Sequence, residues 1–156
     1  DRAGNRFLRL MVYLVIFNRQ ARDWVDGTRI GYDKTGAPVA TGFEPQWHHI
    51  FPRSILRNKY QDEEINALAN ITVLNERTNV NKLSAKEPLR YLREYNITSE
   101  LLAPHAVSEK YLQARSQGEA EFEAQWSQDN FKDFIKERSQ TLAKEANEFL
   151  NGLAKG

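Results

Sequence analysis

The chain has 156 residues, 40% of them hydrophobic and 11% aromatic, enough for one domain with its own buried core. Its 22 basic and 21 acidic residues leave a formal net charge of +1, so any contact with a polyanion has to come from local charge. The absence of cysteine excludes disulfides, a thiolate nucleophile and a cysteine-rich structural zinc site, and leaves apolar packing to hold the fold.

From Asn5 to about Trp24 the apolar residues Phe7, Leu8, Met11, Leu14, Val15, Phe17 and Ala21 recur mostly at the spacing of one helix face. They predict one long, largely buried helix, closed by Asp26-Gly27. Arg9 interrupts the stretch and Asn18, Arg19 and Arg22 follow it, so it falls short of the roughly 18 apolar residues a membrane span needs. It also lacks the small-residue cleavage site of a signal peptide. The expectation is a cytoplasmic protein with no membrane partner. A start at Asp1 that enters a helical pattern almost at once is what a domain cut from a longer polypeptide would show.

Ile30-Gly31-Tyr32 and Asp33-Lys34-Thr35-Gly36 read as a loop or small hairpin. The segment Gly42 to Pro52 is too aromatic for a linker and too rich in proline for a helix, and predicts a short strand ending in a rigid turn. Ser54 to Tyr60 and Asp62 to Ile65 form a short helical or looping excursion. Ile71-Thr72-Val73-Leu74, β-branched and bounded by Asn70 and Asn75, is the clearest strand. Asn79 to Leu83 and Lys86 to Tyr95 have helical composition, with Pro88 tolerable only in a first turn. Beyond these, Val107 to Gln113, Glu119 to Trp126 and about Asn130 to Leu153 read as helices, the last carrying an apolar stripe that includes Phe131, Phe134, Ile135, Leu142 and Phe149.

Chemistry concentrates at His48 and His49, two of only three histidines, at the end of the first strand. Neighbouring strand residues face opposite sides, so one imidazole can bind a metal while the other activates water. A polar edge on a buried strand is the plain alternative. Asn70 opens the second strand and Asn79 lies early in the following helix; each alone would read as a cap.

Together, His-His, Asn and Asn carried on strand, strand and helix resemble the HNH (ββα-metal) endonuclease signature. His48-His49-Ile50-Phe51-Pro52-Arg53-Ser54, then Asn66-Ala67-Leu68-Ala69-Asn70-Ile71-Thr72-Val73-Leu74, then Asn79-Val80-Asn81-Lys82-Leu83-Ser84 with Pro88, look like the nuclease half of GmrSD-type restriction proteins. Phe134-Ile135-Lys136-Glu137-Arg138 with Leu142 is similar to that family's closing helix. The resemblance runs from about Glu44 to Leu153 and is strongest from His48 to Pro88; the first 40 residues match only in helical character.

The resemblance implies His49 as general base and His48 as first metal ligand, at a position where many of the family have aspartate. It implies Asn70 as the residue that holds the loop carrying His49, and Asn79 as second metal ligand. Asn81 is the rival to Asn79, which is preferred on spacing. One divalent ion is implied, Mg²⁺ first, with Mn²⁺, Ni²⁺ or Zn²⁺ admitted by the imidazole. The implied partners are double-stranded DNA, modified or not, and an N-terminal nucleotide-hydrolysing, modification-sensing domain of the same polypeptide in defence against phage. From His48 to Arg93 eight basic residues stand against five acidic ones, and Arg53 and Lys82, which adjoin the motif, are the expected phosphate contacts.

Outside the motif, His105 reads as an ordinary surface residue, and Trp24 and Trp126 as packing residues on helical faces. Trp47 is a candidate to buttress the two histidines, and Glu44 to orient one of them. The whole is an α+β domain: a small ββα-metal core at residues 41–95, embedded between an N-terminal helix at 1–27 and C-terminal helices at 99–153. The expected activity is metal-dependent hydrolysis of DNA phosphodiesters. The alternatives are a catalytically silent DNA-binding or assembly module with the same fold, and an RNase.

Overall fold

The computed structural model describes residues 2–79, 83, 85–86, 88–108 and 130–155, and every structural statement below concerns those residues. The expected helices at Val107 to Gln113 and Glu119 to Trp126 fall almost wholly outside them. The described chain is a mixed α and β arrangement in which helices enclose one two-stranded antiparallel sheet.

The first helix, α1, runs Arg2–Asn18, shorter than the apolar periodicity suggests. Gln20 takes a left-handed conformation (φ 57°). Its amide donates to the Phe17 carbonyl, and the Ala21 amide reaches back to that of Ile16, so the helix ends in a Schellman motif with glutamine where glycine is usual. Without a glycine or proline to mark it, this stop is invisible in the sequence. Ala21 and Trp24 are still buried, but from an irregular segment beyond the helix. That segment doubles back through isolated bridges pairing Arg22 with Arg29 and Tyr32 with Pro38. Gly31 packs so close to the Phe17 ring that an added Cβ would clash with its ring carbons.

Strand β1, Pro45–His49, pairs with β2, Ile71–Asn75, in a register that sets His48 opposite Thr72 and His49 opposite Ile71. Between the strands come two short helices, α2 at Arg53–Leu56 and α3 at Asp62–Ile65, and one turn of 3-10 helix at Leu68–Asn70. Pro52 takes the extended conformation just before α2 and supplies the expected rigid turn. After β2 the chain enters α4, Glu76–Thr78, then α5, Pro88–Glu94, which begins at its proline as the sequence requires, and α6, Ser99–Leu102. The long closing helix, α7, is Phe131–Ala154.

A two-stranded sheet is marginal by itself in water. Here all five residues of β2 are buried, which accounts for its run of β-branched and apolar residues. The main core joins Ile50, Phe51, Leu56, Ile65, Tyr91, Phe131 and Phe134. Phe51 contacts both Phe131 and Phe134, at ring-centroid distances of 5.5 and 5.1 Å, so α7 packs directly on the residues that follow β1. Val12 and Val15 of α1 meet Leu142 of α7 in a separate cluster, which completes the enclosure.

Buried polar groups fix the register of these layers. Arg138 is 2% exposed, and its guanidinium donates to the carbonyls of Ala69 (2.7 Å), Ile71 (3.0 Å) and His105 (2.9 Å). Burial holds its pKa down at about 9, still well above neutral. His105, expected at the surface, is fully buried: its Nε2–H donates to the Arg22 carbonyl (2.7 Å) and its Nδ1 accepts from the Thr72 hydroxyl (2.6 Å). Those two partners fix its tautomer, because a carbonyl can only accept. Burial, with lesser effects from Arg138, His48 and Arg19 against a hydrogen bond to Arg22, pushes its pKa down to about 3.

Arg138→Met keeps much of the stem but strands several buried carbonyls, and is expected to cost on the order of 3 kcal/mol, read as a lower urea midpoint at unchanged slope. His105 and His48 are neutral in the folded chain, with pKa values pushed to about 3 and about 4, whereas the unfolded chain protonates both below about 6.5. Stability is therefore full above that value and falls on acidification. From about pH 7 to about pH 5 each should remove about 2 kcal/mol, and unfolding near about pH 5 should take up about two protons. Flat stability across this interval would mean that the folded protein holds both imidazoles charged.

Candidate functional site

The strand period separates the two histidines as expected. His48 faces inward and is 2% exposed, while His49 is only partly covered. Both line an open cleft of about 310 Å³ whose other walls include Trp47, Pro52, Arg53, Ser54, Asn79 and Leu83.

His48 Nδ1–H donates to Asn79 Oδ1 at 2.7 Å, since a carboxamide oxygen can only accept. The Asn79 amide in turn donates to Gln46 Oε1 and to the Trp47 carbonyl. Gln46 stands two residues before His48 on the same face of β1, a placement that the strand period could have flagged. Behind His48 lie the rings of Trp24 and Tyr91, at centroid distances of 5.8 and 5.9 Å. Trp24, not Trp47, is thus the tryptophan that backs the imidazole. Trp47 sits on the opposite face of the strand with the Arg9 guanidinium 5.7 Å from its ring. Burial lowers the His48 pKa to about 4, against the opposing hydrogen bond to Asn79 and with a further push from His49. Its Nε2 is buried with no hydrogen-bond partner.

Asn70 is fully buried and acts on both ends of the excursion between the strands. Its Oδ1 accepts from the Phe51 amide (2.9 Å), while its Nδ2 donates to the carbonyls of Phe51 (3.1 Å) and Ile65 (2.9 Å). Those bonds brace the backbone two residues after His49. They also fix Ile65, next to Asn66, whose Oδ1 lies 3.0 Å from His49 Nε2. Asn66 belongs to the motif that the sequence displays, yet nothing in its type or spacing singled it out from an ordinary polar helix end.

Asp23 is a second brace that the sequence did not reveal. Its fully buried carboxylate accepts the amides of Val25 (2.9 Å), Asp26 (3.1 Å) and Asn75 (2.7 Å) and the hydroxyl of Thr78 (2.6 Å). Burial raises its pKa, and these four hydrogen bonds oppose the rise. The carboxylate thereby ties the segment after α1 to the end of β2 and to the residue immediately before Asn79.

Of the expected phosphate contacts, Arg53 reaches the cleft but is paired with Asp62, its Nη2 lying 3.0 and 2.9 Å from the two carboxylate oxygens. Both side chains are more than half exposed, so the pair is worth about 1 kcal/mol or less and is readily exchanged. Lys82 and Asn81 lie outside the described residues. Glu44 orients neither histidine: its carbonyl accepts the Glu76 amide at 2.8 Å, and its carboxyl group lies against that of Glu76, whose pKa it raises.

Among the described residues no group of three or more His, Asp or Glu side chains could hold a metal ion. The implied ligand set is of a different kind, one imidazole and one amide oxygen. Two neighbouring ligands of a Mg²⁺-sized ion at about 2.1 Å stand about 3 Å apart. His48 Nδ1 and Asn79 Oδ1, at 2.7 Å and both on the cleft wall, have the spacing of such a pair, and would ligate once the imidazole turns its Nδ1 lone pair from Oδ1 toward the ion. An ion there would replace the hydrogen bond and move the His48 proton to Nε2.

No family model matches the chain, and no solved structure matches it. It is 25% identical over 156 residues to an uncharacterized protein of Methanocaldococcus jannaschii, an alignment that covers 90% of this chain. The chain spans 25% of the length of that curated relative.

Asn70→Ala removes three buried hydrogen bonds, to the Phe51 amide and to the carbonyls of Phe51 and Ile65, and should lower stability by on the order of 2 to 4 kcal/mol in urea unfolding. Exchange of the Phe51 amide with deuterium should accelerate more than that of β1 as a whole.

Proposed function

We propose that this chain is a metal-dependent DNA endonuclease of the ββα-metal kind. The observation that carries the reading is the His48 Nδ1 to Asn79 Oδ1 approach of 2.7 Å in the wall of a cleft that His49 also lines, with Asn70 clamping the turn just beyond. His48 and His49 come from β1, Asn70 from the 3-10 turn just before β2 rather than from the strand itself, and Asn79 from the residue after α4, in the chain order the signature implies.

His48 and Asn79 would hold one divalent ion, Mg²⁺ before Mn²⁺, Ni²⁺ or Zn²⁺ because few protein ligands leave room for water and phosphate. When bound, the ion supplies positive charge to the phosphate and to the departing oxygen. His49 takes a proton from the water that attacks phosphorus. The new bond joins that oxygen to phosphorus, the bond to the 3′ oxygen breaks, and the 3′ oxygen takes a proton from solvent. The products are 5′-phosphate and 3′-hydroxyl ends. Arg53, released from Asp62, contacts a phosphate beside the scissile one. Trp24 and Tyr91 exclude water from the inner side of His48 and hold its ring in place.

Double-stranded DNA is the proposed substrate, and a modification-sensing, nucleotide-hydrolysing domain on the same polypeptide the proposed partner in phage restriction. Targeting by such a partner suits a nuclease of near-zero net charge, whose own hold on DNA would be weak.

Plasmid nicking by wild type in Mg²⁺ or Mn²⁺ should be abolished by EDTA, and His49→Ala should reduce the rate by about 10² to 10⁴ while leaving metal binding intact. His48→Ala and Asn79→Ala should lose both. Cleavage retained by His49→Ala would overturn the base, and a folded wild type that binds no divalent ion would overturn the nuclease in favour of a silent DNA-binding module. Cleavage of RNA in preference to plasmid would redirect the reading to an RNase. Arg53→Ala should raise KM for DNA several-fold with little change in kcat.

A further inference from the structure

Asn66 stands at the end of α3, its amide donating to the Asp62 carbonyl at 2.9 Å, and turns its carboxamide oxygen toward His49. The 3.0 Å contact is to His49 Nε2. That oxygen has lone pairs and no proton, so the nitrogen facing it must carry the hydrogen. In a neutral imidazole the lone pair then resides on Nδ1, which has no hydrogen-bond partner among the described residues. The choice of tautomer thus follows from a side chain on the far side of the excursion.

That side chain is not placed independently of His49. The Asn70 carboxamide grips Phe51, two residues after His49, and Ile65, one residue before Asn66, so a single buried amide sets the separation of donor and acceptor. We propose that Asn66 is a positioning residue for His49: its Oδ1 holds the imidazole in the Nε2–H tautomer and directs the Nδ1 lone pair to the cleft, where it receives the proton of the attacking water. The inference rests on the nuclease reading for what Nδ1 does, and on geometry alone for which nitrogen is protonated.

The two parts are tested separately. Long-range nitrogen–proton NMR on the metal-free protein, assigned with His49→Gln, reads the tautomer of His49 directly. Wild type should show Nε2 as the protonated nitrogen; Asn66→Ala should mix the two tautomers, and Asn66→Asp, which keeps an accepting oxygen, should restore the wild-type pattern. Plasmid nicking in Mg²⁺ should fall about tenfold in kcat for Asn66→Ala with KM little changed, and recover in Asn66→Asp. A wild-type spectrum with the proton on Nδ1, or a tautomer unmoved by Asn66→Ala, overturns the inference even if cleavage is intact. The expected tautomer shift in a protein that never cleaves would instead keep the positioning role and remove the nuclease.

Discussion

The buried guanidinium of Arg138 is the contact on which the described architecture most depends. It lies on the closing helix, far along the chain from the sheet, and gathers carbonyls from the turn before β2, from the first residue of β2 and from His105. No carboxylate accompanies it among those bonds, so its charge is met by peptide dipoles. A hairpin of two five-residue strands cannot stand alone, and without cysteine nothing covalent can pin it. Arg138 supplies a directional lock that the aromatic packing of Phe51 on Phe131 and Phe134 lacks.

From that lock the remaining polar groups follow outward toward the cleft. Thr72 faces His48 across the strands and is held by His105, which is held in turn by the Arg22 carbonyl. Asp23 clasps the other end of β2 and Thr78, while Asn70 clasps the turn beyond His49. His48, His49 and Asn79 are consequently set by three buried braces drawn from distant parts of the chain. Each brace is nearly saturated with hydrogen bonds, as a buried polar group must be to avoid a desolvation cost of several kcal/mol.

The same geometry separates the two proposed tasks. An imidazole backed by Trp24 and Tyr91 is rigid and desolvated, suited to a ligand, whereas an imidazole at a strand end with one side open to the cleft is suited to proton transfer. Alternation along β1 achieves this with adjacent residues. The proposed nuclease would then owe its chemistry to a short segment and its precision to the enclosing helices.

The two strands, the turn before α2 and the start of α5 were legible in the sequence because they rest on local rules: β-branched residues bounded by asparagines at β2, proline at the turn before α2 and at the start of α5, and the strand alternation that sets two adjacent histidines on opposite faces. The end of α1 was not legible, since Gln20 adopts a left-handed conformation that its residue type does not announce. Neither was the burial of His105, the replacement of Trp47 by Trp24 behind His48, nor the roles of Asp23 and Arg138, all of which depend on contacts between segments tens of residues apart. A sequence fixes which groups can donate, accept or ionise, and the period of the element that carries them. Which of those groups meet, and hence which imidazole is buried neutral and which carboxylate is saturated, is decided only when the helices close over the sheet and remove the water that would otherwise have served each of them.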